Sequence, residues 1–82
     1  MNYKILIDKP AQKFILKQQP EQQKRLLKAI AKLPLEGDIK SMKGHPDFFR
    51  LRVGNYRVIY SVHEEQLIIR VITIGNRGDI YK

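Results

Sequence analysis

The first half of the chain combines one short apolar run with two stretches of helical periodicity. Residues 3–7 predict a β-strand, and Asp8 followed by Pro10 can cap and start a helix. Pro20 ends that helix and starts a second one. The apolar stripes of the two helices comprise Ala11, Phe14 and Ile15, then Leu26, Leu27, Ile30 and Leu33. This pattern predicts a helical hairpin after an N-terminal strand.

The second half changes to a pattern typical of strands. Residues 35–46 have no periodicity and contain two glycines and a proline, so they are predicted to form a connecting loop. Residues 48–53, 56–63 and 67–74 are rich in β-branched and aromatic side chains. Turn residues separate these runs, most clearly at Gly54. The pattern predicts an antiparallel meander of three strands.

The chain closes with a bend that carries one isolated arginine. Gly75 and Gly78 flank Arg77. Beyond this bend, Ile80 and Tyr81 are predicted to add a last short pairing to the sheet.

Helices and strands are segregated along the chain, which is the order of an α+β fold. The 82 residues suffice for one domain and are too few for two, so residues 1–82 are expected to form a single domain. The apolar stripes require the helical hairpin to pack on one face of the sheet. The predicted architecture is an N-terminal strand, a helical hairpin and an antiparallel meander covered on one face.

Net charge is the strongest compositional signal. Sixteen Lys and Arg residues against eight Asp and Glu residues give +8, with a pI near 10.0. This balance favours a polyanionic partner such as nucleic acid. Six of the cations decorate the polar sides of the helices, where solvent exposure is the simplest interpretation and a joint contact with a large RNA is the alternative. They are Lys13, Lys17, Lys24, Arg25, Lys28 and Lys32.

The composition also excludes several kinds of site. The absence of cysteine rules out disulfides and thiolate zinc sites, and His45 and His63 have no metal-ligand spacing. We therefore expect no metal and no cofactor. No apolar run approaches the roughly 20 residues of a membrane-spanning helix, and the N-terminus lacks a signal-peptide pattern, so a cytoplasmic protein without a membrane partner is expected.

Alternation within the predicted hairpin places three arginines on one side of the sheet. Glycine at the first position of a two-residue type II′ turn pairs Arg52 directly with Arg57. Because side chains alternate between faces, these two and Arg50 lie opposite to the apolar face. Directly opposed like charges destabilise a sheet, and between the two histidines the only acid is Asp47. We interpret this arginine face, defined by Arg50, Arg52 and Arg57, as an anion site.

The chemistry of the arginine face suits a strand of nucleic acid. Forked guanidinium donors match phosphate oxygens in pairs, and a rigid sheet can present several to successive phosphates. Phe48 on the same face offers a stacking surface for unpaired bases, which favours single-stranded RNA. Lys43 and Arg70 are further candidates for RNA contact, and Arg77 in its bend is a candidate catalytic residue.

Residues 43–60, KGHPDFFRLRVGNYRVIY, resemble the RelE/ParE toxin superfamily. The first strand, the helical hairpin, the Gly75-Asn76-Arg77 bend and Tyr81 are similar to that family in order and spacing over the whole chain. The combination of a charged strand, YRVIY, an apolar strand and this closing segment is fairly specific. The resemblance implies a RelE-like microbial ribonuclease-type fold.

The resemblance to the RelE branch implies the toxin of a type II toxin–antitoxin system, which cleaves mRNA in the ribosomal A site. In that reaction the ribose 2′-hydroxyl attacks the adjacent phosphorus without a metal, and leaves a 2′,3′-cyclic phosphate and a 5′-hydroxyl. The implied partners are the ribosome with its mRNA and a cognate antitoxin. The antitoxin is expected to be acidic and partly disordered, complementing the basic chain.

The resemblance also assigns five catalytic positions. Arg57 and Arg77 act at the scissile phosphate and its developing charge, whereas Arg50 and Arg52 orient the substrate. Tyr81 stacks on a base or transfers a proton. The RelE branch carries lysines at the positions of Arg50 and Arg52, where a lysine is a candidate general base. Arginine does not release its proton in proteins, so the resemblance leaves the base unassigned here.

Two alternatives to a nuclease stay open from sequence. The ParE branch of the same superfamily poisons DNA gyrase without cutting RNA. A non-catalytic RNA-binding module, or a degenerate toxin that only binds its antitoxin, also fits the missing lysines. The basic strand, YRVIY and the Arg77–Tyr81 pair favour the nuclease.

Overall fold

The computed structural model describes residues 3–76, which form a five-stranded sheet with two helices on one face. The elements are β1 (Lys4–Ile7), α1 (Lys9–Leu16), α2 (Pro20–Ala31), β2 (Asp38–Met42), β3 (His45–Val53), β4 (Tyr56–His63) and β5 (Ile68–Asn76). The predicted α+β class is confirmed. The bend at Arg77 and the predicted pairing of Ile80 and Tyr81 lie outside the described residues.

The sheet has the strand order β1-β5-β4-β3-β2. β1 runs parallel to β5, and the other three strand pairs are antiparallel. The predicted meander corresponds to β3, β4 and β5, and two strands are added at its edges. The sheet is therefore mixed, with β1 and β2 as its two edge strands.

β2 is the element that the sequence pattern missed. Asp38–Met42 lies within the predicted loop of residues 35–46, yet it pairs along β3. Only Ile39 and Met42 of its five residues are partly buried, so the strand has no alternating apolar pattern. Its position is determined by hydrogen bonding to β3, which itself begins at His45 and not at residue 48 as predicted.

Proline starts both helices, as predicted. Pro10 lies in the first turn of α1 and Pro20 opens α2, at positions where a backbone N–H has no intrahelical partner. Asp8 holds the N-cap position of α1, but its side chain makes no capping hydrogen bond. Its carboxylate instead accepts a hydrogen bond from Nε of Arg70 at 2.9 Å. The predicted position of the cap is right, but the predicted capping hydrogen bond is absent, because the guanidinium of Arg70 is a stronger donor than a backbone N–H.

The core lies between the two helices and the apolar face of the sheet. Tyr56 ties this face to the helices, since its hydroxyl donates to Oε1 of Gln18 at 3.0 Å and its ring meets Phe14 edge-on. Leu27 was predicted for the apolar stripe but is 45% exposed, because neighbouring helical residues point about 100° apart and Leu26 faces the core. The largest fully buried side chains are Tyr60, Leu26, Ile30, Leu51, Ile69, Val58 and Val71.

Tyr60 gives the core a titratable side chain. It is 1% exposed, and its ring stacks on Phe49 with the ring centroids 5.6 Å apart. Burial raises the pKa of Tyr60 from 10.0 to about 12, because the phenolate would lose its hydration. The folded state then holds the proton to higher pH than the unfolded chain does. The stability contributed by the neutral ring is complete below pH 10 and is lost between pH 10 and about 12.

We expect Tyr60→Phe to remove this part of the alkaline destabilisation. Above pH 10 the wild type should lose up to about 1.4 kcal/mol of unfolding free energy per pH unit more than the variant does. Urea unfolding of both proteins at several pH values below and above pH 10 measures the difference. Parallel pH dependences for the two proteins would show that Tyr60 ionises as easily in the folded state as in the unfolded chain.

Within residues 3–76, neither helix has the length and apolar character needed to cross a membrane.

Candidate functional site

The β3–β4 hairpin positions the arginines. Gly54 has a φ of 59° and Asn55 has a negative φ, which are the signs that a type II′ turn requires. Arg52 pairs with Arg57, and Arg50 pairs with Ile59 on β4. The predicted register is confirmed, and the arginine face lies on the side of the sheet away from the helices.

The three guanidinium groups originate close together. Directly opposed residues of an antiparallel pair have Cβ atoms about 5 Å apart, which applies to Arg52 and Arg57. Arg50 is two residues from Arg52, about 7 Å along β3. Arg52 is exposed, whereas Arg50 and Arg57 are half-buried. Three positive charges therefore share one small area of a rigid sheet.

Arg50 carries a buried donor that lacks an acceptor. Its Nε atom has no hydrogen-bond partner among the described residues. A buried charged donor left unmet costs at least about 1–3 kcal/mol. Within residues 3–76, neither Arg50 nor Arg52 forms an ion pair. An anion bound on the arginine face can supply the missing acceptor.

β2 brings two charged residues to the arginine face that sequence reasoning missed. Asp38 lies directly opposite Arg52, and Lys40 lies directly opposite Arg50. Asp38 adds a carboxylate beside the arginines, and Lys40 adds a fourth cation. No local signal predicts this strand, because the charged-apolar-charged order of Asp38-Ile39-Lys40 is not continued at Ser41.

The centre of this face has an apolar floor. Ile59 is 5% exposed although it points away from the helices, and it lies outside the main core cluster. Its neighbours across the sheet are Arg50 on β3 and Thr73 on β5. Charges above an apolar surface interact more strongly with an anion than they do in bulk water.

Phe48 and His63 occupy the far end of the same face. Phe48 is 37% exposed and lies opposite Ser61, whose Oγ is 3.1 Å from Nε2 of His63. His63 ends β4 and is six residues from Arg57, about 20 Å along the strand. It therefore lies too far away to act on a phosphate held by Arg57. His45, expected in a loop, is the first residue of β3.

The remaining sequence-predicted residues differ in position and in the partners that they contact. Arg70 lies on the arginine side of the sheet opposite Ser61, but its Nε donates to both carboxylate oxygens of Asp8 at 2.9 and 3.1 Å. This hydrogen bond raises the pKa of Arg70, and the ion pair offsets its charge. Lys43 is exposed in the turn between β2 and β3. Arg77 and Tyr81 lie outside the described residues.

Comparison with known protein families gives a match over most of the chain. A family model described as the ParE toxin of the type II toxin–antitoxin system parDE matches residues 7–81. Toxin RelE3 of Methanocaldococcus jannaschii is 40% identical over 47 residues, which are 57% of this chain and 51% of that protein. The match thus spans about half the length of this curated relative.

The fold agrees with solved RelE structures. A chain in the archaeal RelE–RelB complex of Pyrococcus horikoshii OT3 has a TM-score of 0.81 at 28% identity, covering 96% of this chain and 99% of that chain. The RelB–RelE complex of Methanococcus jannaschii gives 0.75 at 29% identity, with 93% and 94% covered. Because the family model extends over most of the sequence, this chain belongs to the ParE toxin family of type II toxin–antitoxin systems, within the RelE/ParE superfamily.

Proposed function

We propose that this toxin is a ribosome-dependent endoribonuclease that cleaves translated mRNA in the A site. The observation that supports it is the arginine face, where Arg50, Arg52 and Arg57 share one side of the sheet and Nε of Arg50 lacks an acceptor. Guanidinium groups bind phosphate oxygens in pairs, and Phe48 on the same face suits base stacking. This combination matches an unpaired RNA strand better than it matches a protein surface.

The reaction that fits this face is an internal transesterification. The 2′-hydroxyl gives its proton to solvent as its oxygen bonds to the adjacent phosphorus, and the bond from phosphorus to the 5′-oxygen breaks as that oxygen takes a proton from solvent or from Tyr81. The products are a 2′,3′-cyclic phosphate and a 5′-hydroxyl. Negative charge builds on the phosphorane oxygens, and preorganised cationic donors stabilise it.

The roles in this proposal are those that the family resemblance implies. Arg57, with Arg77 from the sequence, acts on the scissile phosphate, while Arg50 and Arg52 orient the strand. Tyr81 stacks on a base or transfers a proton. Arginine cannot serve as the general base. The rate enhancement in this proposal therefore comes from electrostatic stabilisation and from positioning of the message by the ribosome.

We infer an antitoxin partner from the relatives. The P. horikoshii and M. jannaschii proteins were each solved as a complex of RelE with RelB. A partner for this chain is expected to be acidic and partly disordered, since the toxin carries a net charge of +8. A ribosomal substrate would also place the toxin in the cytoplasm.

A second candidate function is poisoning of DNA gyrase. The matching family model is that of the ParE toxin, and this is the observation in its favour. Gyrase poisoning requires no cleavage of RNA, so the two functions can be distinguished in a cell by whether mRNA or DNA is damaged.

Expression in cells, with mapping of mRNA 5′ ends during growth arrest, separates the functions. The nuclease proposal expects codon-phased 5′-hydroxyl ends within translated regions. DNA damage with intact messages would indicate the gyrase poison, and a lack of toxicity would indicate a non-catalytic binding module. Arg77→Ala is expected to abolish the arrest while antitoxin binding stays nearly intact. A folded, fully toxic Arg77→Ala protein would count against the nuclease.

A further inference from the structure

A second basic surface lies between α2 and the end of β3. It is a groove of about 520 Å³, which we call the α2 groove. Four of its ten lining residues are cations, and the single acid among them is Glu36. The cations are Arg25, Lys28, Lys32 and Arg52. A concave surface with this excess of positive charge concentrates anions at its mouth.

Two cations of the α2 groove lie on one side of α2, and a third is the C-cap residue of that helix. Arg25, Lys28 and Lys32 are spaced at i, i+3 and i+7, and all three are exposed. The guanidinium of Arg25 lies against Gly54, where an added Cβ would be 3.0 Å from Nη2 and 3.1 Å from Cζ. Glycine in the turn therefore lets this guanidinium lie close to the backbone.

The α2 groove lies on the helix side of the sheet and meets the arginine face around the end of β3. Arg52 belongs to the arginine face and also lines the groove. A smaller cavity at the β3–β4 turn is lined by both Arg52 and Arg57. Arg52 therefore lies where the two basic surfaces meet, with Asp38 opposite it on β2.

We propose that the α2 groove binds the phosphate backbone of RNA, as a continuation of the strand held by the arginine face. The inference rests on the proposed function in one respect, namely that the arginine face holds RNA. Binding of the RNA phosphate backbone requires closely placed cations and no apolar side chains. Protein partners instead bury aromatic and aliphatic anchors. Within residues 3–76, none of the large exposed apolar side chains lines the groove; these are Leu6, Leu16, Leu27, Leu35 and Phe48.

The test uses purified full-length protein and 2′-O-methyl RNA, which has no free 2′-hydroxyl and cannot be cleaved. One labelled oligonucleotide has about 5 nucleotides and the other about 15, within the site sizes of single-strand binding folds. Lys28→Ala/Lys32→Ala is expected to weaken binding of the long oligonucleotide roughly tenfold and to flatten its salt dependence by about 1.4 in log–log slope. Binding of the short oligonucleotide should stay close to that of the wild type.

The matched control is Lys13→Ala/Lys24→Ala. It removes the same charge from exposed helical positions that line no cavity described for residues 3–76. Lys13 and Lys28 both lie in the last turn of their helix, so effects of the helix dipole are similar. The control should bind the long oligonucleotide clearly more tightly than the groove variant does. Equal losses of affinity in the two variants would show that only the overall charge matters, and this result would overturn the inference.

Arg57→Ala separates failure of the groove from failure of the arginine face. If it weakens both oligonucleotides while the groove variant binds like the wild type, the groove inference fails and the proposed function stands. If the groove variant alone loses affinity for the long oligonucleotide, the groove binds RNA and the arginine face does not. A groove variant that keeps RNA affinity but loses an acidic antitoxin would assign the groove to that protein and overturn the inference.

Discussion

Arg57→Ala is expected to lower the rate of mRNA cleavage on the ribosome about 10²–10³-fold, the loss typical of removing one preorganised donor from a developing oxyanion. Arg57 lies directly opposite Arg52 and is half-buried beside the apolar floor formed by Ile59. In the proposed reaction, this charge would act on the phosphorane more strongly than a solvated charge could. Single-turnover cleavage on purified, programmed ribosomes measures the rate.

Two controls accompany this measurement. Lys17→Ala removes one exposed positive charge next to α1 and should cleave at nearly the wild-type rate. Arg57→Lys keeps the charge but loses the forked pair of donors, so its rate should lie between those of wild type and Arg57→Ala. A folded Arg57→Ala protein that cleaves as fast as the wild type would remove Arg57 from the reaction.

Of the substitutions proposed here, Leu26→Ala is expected to lower the free energy of unfolding most, by about 2–5 kcal/mol. Leu26 is fully buried and lies in the core cluster beneath α2. A loss of this size is a large fraction of the roughly 5–15 kcal/mol that stabilises an ordinary domain. Urea unfolding gives the free energy, with the shift of the midpoint as the readout.

Leu27→Ala is the matched control, since it changes the same side chain one residue away. Leu27 is 45% exposed, so its truncation leaves a smaller cavity and should cost less than about 1 kcal/mol. Similar losses from both substitutions would mean that α2 does not present Leu26 to the core.

Local patterns were enough to predict the part of the fold that builds the arginine face. Strict alternation in β3 and β4, together with Gly54 at the turn, determined which side chains share a side of the sheet. Pro10 and Pro20 marked where the helices begin. These signals act over a few residues and need no information about the rest of the chain.

Other features depend on contacts between distant parts of the chain. β2 is paired through the backbone of β3 and has no alternation of its own, so Asp38 and Lys40 were not expected on the arginine face. Asp8 fits a helix cap by sequence, yet it binds Arg70, which lies 62 residues away. Strand pairing and side-chain partners of this kind are decided by tertiary packing.

Burial of side chains on the arginine side of the sheet could not be predicted from the sequence either. Ile59 shares a side with the arginines and is almost fully covered there, and no sequence pattern predicted this burial. His63 proved to lie on the arginine side of the sheet, although at a distance from Arg57 that excludes a shared phosphate. Distances of this kind follow from strand length and register and not from residue type.

The central claim is that the arginine face holds the scissile phosphate of a message on the ribosome. Its most direct test adds the purified toxin to ribosomes stalled with a defined codon in the A site and maps both ends of the cut. The account predicts a break within that codon, with a 2′,3′-cyclic phosphate upstream, a 5′-hydroxyl downstream, and free mRNA left intact. An uncut message on ribosomes that have bound folded wild-type toxin would contradict it.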